Sequence, residues 1–429
     1  MLSRYLTCLV FLSSIAAGTV VIAKKEPKEE ELPYTSLRRF AEVFAQVKAN
    51  YVEEIDDNTL LENAIRGMLD GLDPHSAYLS VKEFDNLQES TSGEFGGLGI
   101  EVTKENGFIK VVSPIDDTPA KRAGIEPGDL IMRLDGNAVK DISLSEAVKI
   151  MRGKPGTSIE LTIIREKVDK PFKVVLERDT IRVKSVRGEL LEPGYAYIRI
   201  STFQNRTGQD LYKQISNLRK KNKANLNGLI LDLRNNPGGV LSSAREVADA
   251  FLDDGIIVYT KGRSSDAEIK YNATPGDALA GAPLVVMVNS GSASASEIVA
   301  GAIQDHVRGI VMGAATFGKA SVQSVVELKS GSAIKLTTAR YYTPKGRSIQ
   351  AEGIVPDIKL KRAKIELLDK DSDVDPIKES NLSGHLDNPD KADSDDKNKE
   401  KQKLESRDYQ LFEALNLLKG LNLLLPKLN

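Results

Sequence analysis

Between residues 195 and 304, apolar strand-like runs alternate with amphipathic helical stretches, and two runs, GLILDL at 228–233 and LVVMVN at 284–289, are almost without polar side chains. A strand of that composition must be buried, and strand–helix alternation on this scale builds an α/β layered core rather than a bundle or a sandwich. The reading is strand 195–200, helix 209–221, strand 228–233, helix 242–251, strands 256–259 and 284–289, and helix 294–304. Two further strand-like runs follow at 322–328 and 333–342.

The 429 residues exceed one ordinary core and suit two or three units. An uncharged run from Tyr5 to Ala23 follows Arg4 and stops abruptly at KKEPKEEE, which reads as an export leader, 1–23, either cleaved or kept as a membrane anchor. Residues 24–93 form a helical N-terminal region, with Leu37, Phe40, Val43, Phe44 and Val47 at helical spacing, suited to packing or self-association. A compact module of short strands with helices at 119–123 and 144–151 occupies 94–167, and the α/β core occupies 168–360. Residues 361–407, rich in Asp, Glu, Lys, Ser and Asn, make a charged linker. The last stretch, 408–429, is a helix with Leu411, Phe412, Leu415, Leu418 and Leu421, too apolar to stand in solvent, so it is expected to dock on another subunit or partner.

Composition narrows the chemistry. A formal net charge of −2 supplies no global field for nucleic acid or acidic membranes. The single cysteine, Cys8, lies in the leader, which excludes thiol catalysis and an internal disulfide in the rest of the chain. His75, His306 and His385 are too scattered for an evident metal site, and no cofactor is implied.

The strongest chemical signal is the turn from strand 284–289 into the next helix, through Ser290, Ser292, Ser294 and Ser296. A serine there sits over backbone N–H groups at the positive end of a helix, which favours an attacking oxygen and the oxyanion it generates. Ser294-x-x-Glu297 also reads as a capping box, and local sequence does not choose among the four serines. His306 lies about 18 Å along the same helix from Ser294, out of reach as its base. His75 belongs to the N-terminal region and His385 to the linker. A lysine kept neutral by apolar surroundings can serve instead, and Lys319, within GAATFGKASV, has no charged neighbour; Gln323 is placed to orient it from the following strand. Gly313-x-x-x-x-Gly318-Lys319 matches a phosphate loop until Ala320, where Ser or Thr should hold magnesium, and a strand rather than a helix follows. At the end of strand 228–233, the Pro237-Gly238-Gly239 turn lets backbone N–H groups approach a ligand at the same sheet edge.

GSASASEIVAGAIQD, FGKASVQ, LDLRNNPGG and RYYTPKGRSIQAEGIVPD together resemble the carboxy-terminal processing (tail-specific) proteases, and the resemblance runs from LDGLDPHSAYL at 69–79 to Asp357. It implies a crotonase-like α/β core with Ser294 as nucleophile, Lys319 as general base and Gln323 in support. Gly238 or Gly239 and the Ala295 amide then form the oxyanion hole. It makes 94–167 an inserted PDZ domain in which Gly97, Leu98, Gly99 and Ile100 bind a peptide carboxylate and Arg152 senses substrate. The position after the catalytic lysine, usually glycine in that family, is Ala320 here. The resemblance, with the leader, further implies a periplasmic endopeptidase acting on protein C-termini and able to rest misaligned until substrate or an adaptor engages the PDZ domain, while the N-terminal helices and the apolar C-terminal helix point to self-association. The rival from another class is an inactive PDZ scaffold.

Overall fold

The computed structural model describes residues 33–263, 268–361 and 408–424. The leader and most of the charged linker lie outside them. The chain divides into two units, 1–65 and 66–429. In the first, helix α1 (Tyr34–Asn50) buries none of its residues, leaving Leu37, Phe40 and Val43 exposed, and helix α2 (Asp57–Asp70) begins.

The second unit opens with β1 (Ala77–Leu79), so the stretch expected to be helical contains a strand. Helix α3 (Val81–Ser92) follows, started by a Ser80/Glu83 capping box and ended by Gly93 in the left-handed conformation. Then come β2 (Glu94–Gly97), β3 (Ile100–Glu105), β4 (Phe108–Pro114), α4 (Pro119–Arg122), β5 (Leu130–Leu134), β6 (Asn137–Ala138), α5 (Leu144–Met151), β7 (Ser158–Ile164), β8 (Phe172–Glu177) and β9 (Asp179–Arg182). One antiparallel sheet, β3-β4-β5-β7-β8, carries its own core of Ile109, Val111, Ile131, Leu161 and Ile163. The expected module boundary at 167 therefore falls inside this sheet, between β7 and β8. The entering strand β2 pairs antiparallel with the leaving strand β9, so the module is inserted on a two-stranded stalk.

The larger layer is built from β10 (Val186–Glu192), β11 (Tyr195–Ile200), α6 (Thr207–Asn222), β12 (Gly228–Asp232), α7 (Leu241–Asp249), β13 (Ile256–Gly262), β14 (Ile269–Asn272), β15 (Leu284–Val288), α8 (Ala295–Asp305), β16 (Ile310–Gly313), β17 (Ser321–Glu327), β18 (Ala333–Tyr342), β19 (Ile358–Lys359) and α9 (Tyr409–Leu424). The order β10-β11-β12-β15-β16-β19 is parallel from β11 onward. Alternate side chains of β12 and β15 enter different cores. Leu229, Leu231, Val286 and Val288 pack with α6, α7 and α8; Ile230, Val285 and Met287 pack on the opposite face with Leu411, Leu415 and Leu418.

That second face corrects the expectation for the C-terminal helix. Helix α9 buries its apolar stripe on this chain's own sheet, where each fully buried leucine contributes about 1.5–3 kcal/mol. Gly228 makes room for it, since a Cβ there would come within 2.7 Å of Leu418. A second sheet pairs β18 with β1, β13 and β17, bringing residues 77–79 against residues 333–335.

Candidate active site

The turn after β15 is stitched to the loop after β12 by serine hydroxyls. Ser292 Oγ donates to the Leu233 carbonyl (2.8 Å) and accepts from the Asn289 amide (3.0 Å), while Ser296 Oγ donates to the Asn236 carbonyl (2.9 Å). Both serines are buried and Ser290 is exposed. Ser294 differs: it is half-buried, with φ 55° and ψ −111°. An ordinary N-cap is extended, so Ser294 holds a conformation costing about 1–3 kcal/mol, imposed by its surroundings. It does stand at the N-cap of α8 in the capping-box relationship, its amide donating to Glu297 Oε2 at 2.7 Å.

The loop after β12 lies against this elbow. Asn236 is buried; its amide nitrogen donates to the Ile200 carbonyl, and its Oδ1 accepts the Gly238 amide, both at 2.9 Å. A Cβ on Gly238 would stand 2.9 Å from Ser294 Cβ and 3.0 Å from the Ala295 nitrogen, and one on Gly239 would stand 2.1 Å from the Phe203 carbonyl. Both positions also have positive φ, 101° and 138°, so glycine is required twice over. Among the described residues the amides of Gly239 and Ala295 have no hydrogen-bond partner, whereas that of Gly238 is committed to Asn236.

The lysine loop is fastened to the same place by a residue that sequence reasoning read only as a cap. Glu297, fully buried, accepts from the Ser294 amide (2.7 Å), the Thr316 hydroxyl (2.5 Å), the Gly318 amide (2.7 Å) and the Lys319 amide (2.9 Å). Buried Tyr341 adds a second tie, its hydroxyl within reach of the carbonyl oxygens of Ser294 (3.0 Å) and Lys319; burial, then Glu297, pushes its phenol well above the ordinary value. Ala320 is buried, its amide held by Gln350 Oε1 at 2.9 Å. The segment after Lys319 is strand β17, which removes the helix that a phosphate loop needs.

Burial pushes the Lys319 ammonium below the usual lysine value, with Lys335 adding to the effect and Asp73 opposing it. Among the described residues no hydrogen bond joins the Lys319 amine to Ser294 or to Gln323. Gln323 instead donates to Ser321 Oγ (2.9 Å) and Thr337 Oγ1 (3.2 Å). His306 caps α8 and bonds the Ile256 carbonyl at 2.8 Å, a structural use. His75, set aside in the sequence as remote, is brought by β1 into the electrostatic neighbourhood of Lys319; burial first, then Lys319, lowers its pKa.

In the inserted module, Gly97, Leu98, Gly99 and Ile100 line a cavity of about 120 Å³ with Val148 and Met151 of α5. Gly99 has φ 76° and leaves no room for a Cβ beside Thr118. Arg152, at the C-cap of α5, lines the same cavity, stacks over the Phe95 ring (4.4 Å) and is ion-paired to Glu89 of α3 (2.6 Å).

Three segments of the chain match known protein families. Residues 194–360 match peptidase family S41, residues 96–176 match the PDZ domain, and residues 9–83 match the activating protease CtpB N-terminal domain. The chain is 45% identical over 414 residues to the carboxy-terminal-processing protease of Bartonella bacilliformis, covering 96% of this chain and 94% of the relative. It is 34% identical to the carboxy-terminal processing protease CtpA of Bacillus subtilis, covering 83% and 76%. Among solved structures, the photosystem II D1 C-terminal processing protease aligns at 31% identity over 77% of this chain and 87% of its own, with a TM-score of 0.45. A strained serine elbow beside a glycine loop, a buried lysine loop and an inserted PDZ module thus meet in a chain that belongs to the carboxy-terminal processing proteases, serine peptidases of family S41.

Proposed function

We propose that this protease cleaves peptide bonds with a Ser294/Lys319 dyad whose access is controlled by the PDZ module. The observation that carries the dyad is one carboxylate oxygen, Glu297 Oε2, which accepts the amides of both Ser294 and Lys319 and so fixes the two loops on each other. Neutral Lys319, favoured by its depressed pKa, takes the proton from Ser294 Oγ as that oxygen attacks the scissile carbonyl. The amides of Gly239 and Ala295 receive the oxyanion, and Gly239 is preferred to Gly238 because the Gly238 amide is already bonded to Asn236. The lysine returns the proton to the leaving amine, and water then hydrolyses the acyl-enzyme. Gln323 supports Lys319.

The PDZ cavity receives a substrate C-terminus, its carboxylate on the 97–100 loop and the peptide added as a strand beside β3. In this reading, C-terminal peptide or an adaptor draws Arg152 from its ion pair with Glu89 and brings Lys319 onto Ser294, and the Arg152–Glu89 pair beside the PDZ cavity supports it. Export to the periplasm and self-association complete the reading, supported by the uncharged run at 5–23 and the exposed apolar residues of α1.

The test is cleavage of a loosely folded protein by residues 24–429 beside Ser294→Ala and Lys319→Ala copies, analysed by mass spectrometry. Both substitutions are expected to abolish cleavage, Lys319→Ala by roughly 10²- to 10⁴-fold. Persistent cleavage by both would reject the dyad, and C-terminal peptide binding with no turnover under any condition would favour the scaffold.

A further inference from the structure

We infer that Asp73 is a positioning residue of this active site: through Thr337 its carboxylate orders Gln323 so that the glutamine's carbonyl oxygen, not its amide nitrogen, faces the Lys319 amine. This rests on the dyad proposed above and adds to it a residue separated from the lysine by most of the chain.

The argument follows the hydrogens. Asp73 accepts from the amides of His75 (2.8 Å) and Ser76 (3.0 Å), from Ser76 Oγ (2.6 Å) and from Thr337 Oγ1 (3.1 Å). Four donors converge on it, and with its pKa lowered to about 2, chiefly by the Ser76 hydroxyl, it is a carboxylate near neutral pH and can only accept. A threonine hydroxyl has one hydrogen. Because that hydrogen goes to Asp73, Thr337 Oγ1 can only accept from Gln323, and Gln323 must present its NH2 group there. Its second N–H goes to Ser321 Oγ. Both amide hydrogens are thereby committed, and Oε1 is the end left for Lys319. The glutamine's orientation, which its own shape leaves open, is thus set by a charge two side chains away. Ser76 locks the arrangement, donating to Asp73 while accepting the Thr337 amide at 3.1 Å.

Asp73→Asn keeps the size but offers an N–H to Thr337, which frees the threonine hydrogen and lets the chain of bonds run in reverse. Thr337→Val breaks the chain without changing charge. Each is expected to lower kcat by up to about 100-fold with little change in KM. Neither should lower it further in a Gln323→Ala background, because all three act on one amide.

A second readout separates positioning from general damage. The charged and titratable groups in the electrostatic neighbourhood of Lys319 are Lys335 of β18 and Asp73 and His75 from the turn before β1, with Glu297 bonded to its amide. Removing the Asp73 charge removes a group that favours the ammonium form. The lysine pKa, read from the acid limb of kcat/KM or by NMR titration of 13C-labelled lysine without turnover, should therefore fall in Asp73→Asn and move less in Thr337→Val. A site merely loosened and wetted would shift the opposite way, toward the ordinary lysine value. Full additivity with Gln323→Ala, or an upward pKa shift in Asp73→Asn, would overturn the inference. If Asp73→Asn fails to fold, Thr337→Val in the two glutamine backgrounds decides it alone. Activity surviving in Lys319→Ala would instead overturn the dyad.

Discussion

Glu297 shows how one side chain can serve as a helix cap and as the fastening of an active site. Its four donors come from the elbow and from the lysine loop, so one buried carboxylate holds both loops. Glu297→Gln keeps the volume but places an NH2 group against backbone N–H donors. Each opposed buried donor costs about 1–3 kcal/mol. The expected result is a lower melting temperature together with slower labelling of Ser294 by a serine-directed fluorophosphonate. Labelling at the wild-type rate would mean that the elbow and the lysine loop hold their geometry without this carboxylate. The serines can be told apart by the same kind of accounting: Ser292 and Ser296 spend their hydroxyls on the loop after β12, and Ser294 bears the backbone strain.

At the scale of elements, α9 is the piece whose place the sequence misjudged. Its apolar stripe was legible, but the acceptor surface is assembled from Ile230, Val285, Met287 and Met312 on three strands. The helix also completes an ion network. Arg234, in the loop leading to Gly238, donates to both oxygens of Asp408 (3.0 and 2.7 Å) and also to Asp232, which accepts from Arg199 and Tyr197. Docking of α9 therefore supports the sheet and the loop after β12 together. Leu415→Ala should cost about 2–5 kcal/mol in urea unfolding, the usual range for a buried leucine. A loss below about 0.5 kcal/mol, the size expected of an exposed site, would show that α9 does not pack there in solution.

For the molecule as a whole, the β2/β9 stalk and α3 join the PDZ module to the α/β core. Arg152 touches the PDZ cavity and Glu89 of α3, while the Asn205 amide bonds the Thr91 carbonyl (3.0 Å) and carries that helix to the core. Under the proposed gating, a peptide ending in a small apolar residue with a free carboxylate should speed fluorophosphonate labelling of Ser294, and its amidated twin should not. Arg152→Ala should blunt the response without altering the melting temperature, because a partly exposed ion pair contributes only about 0–1 kcal/mol. Equal stimulation by both peptides would remove carboxylate capture from the mechanism.

Much of this was readable from the chain alone, because it depends on near neighbours. Apolar runs at 228–233 and 284–289 demanded strands buried in an α/β layer core, and the glycine pair at 238–239 marked a close backbone approach. Strand β8, which extends the module beyond 167, was missed because FKVVLE lies past a charged turn that resembles a linker. What only the tertiary structure decided were pairings across long separations: Asp73 with Thr337, Arg234 with Asp408, His75 with Lys319, and α9 with its own sheet. Local periodicity records which face a residue presents; the partner that satisfies a buried charge or an apolar stripe is set by topology, and no short window contains it.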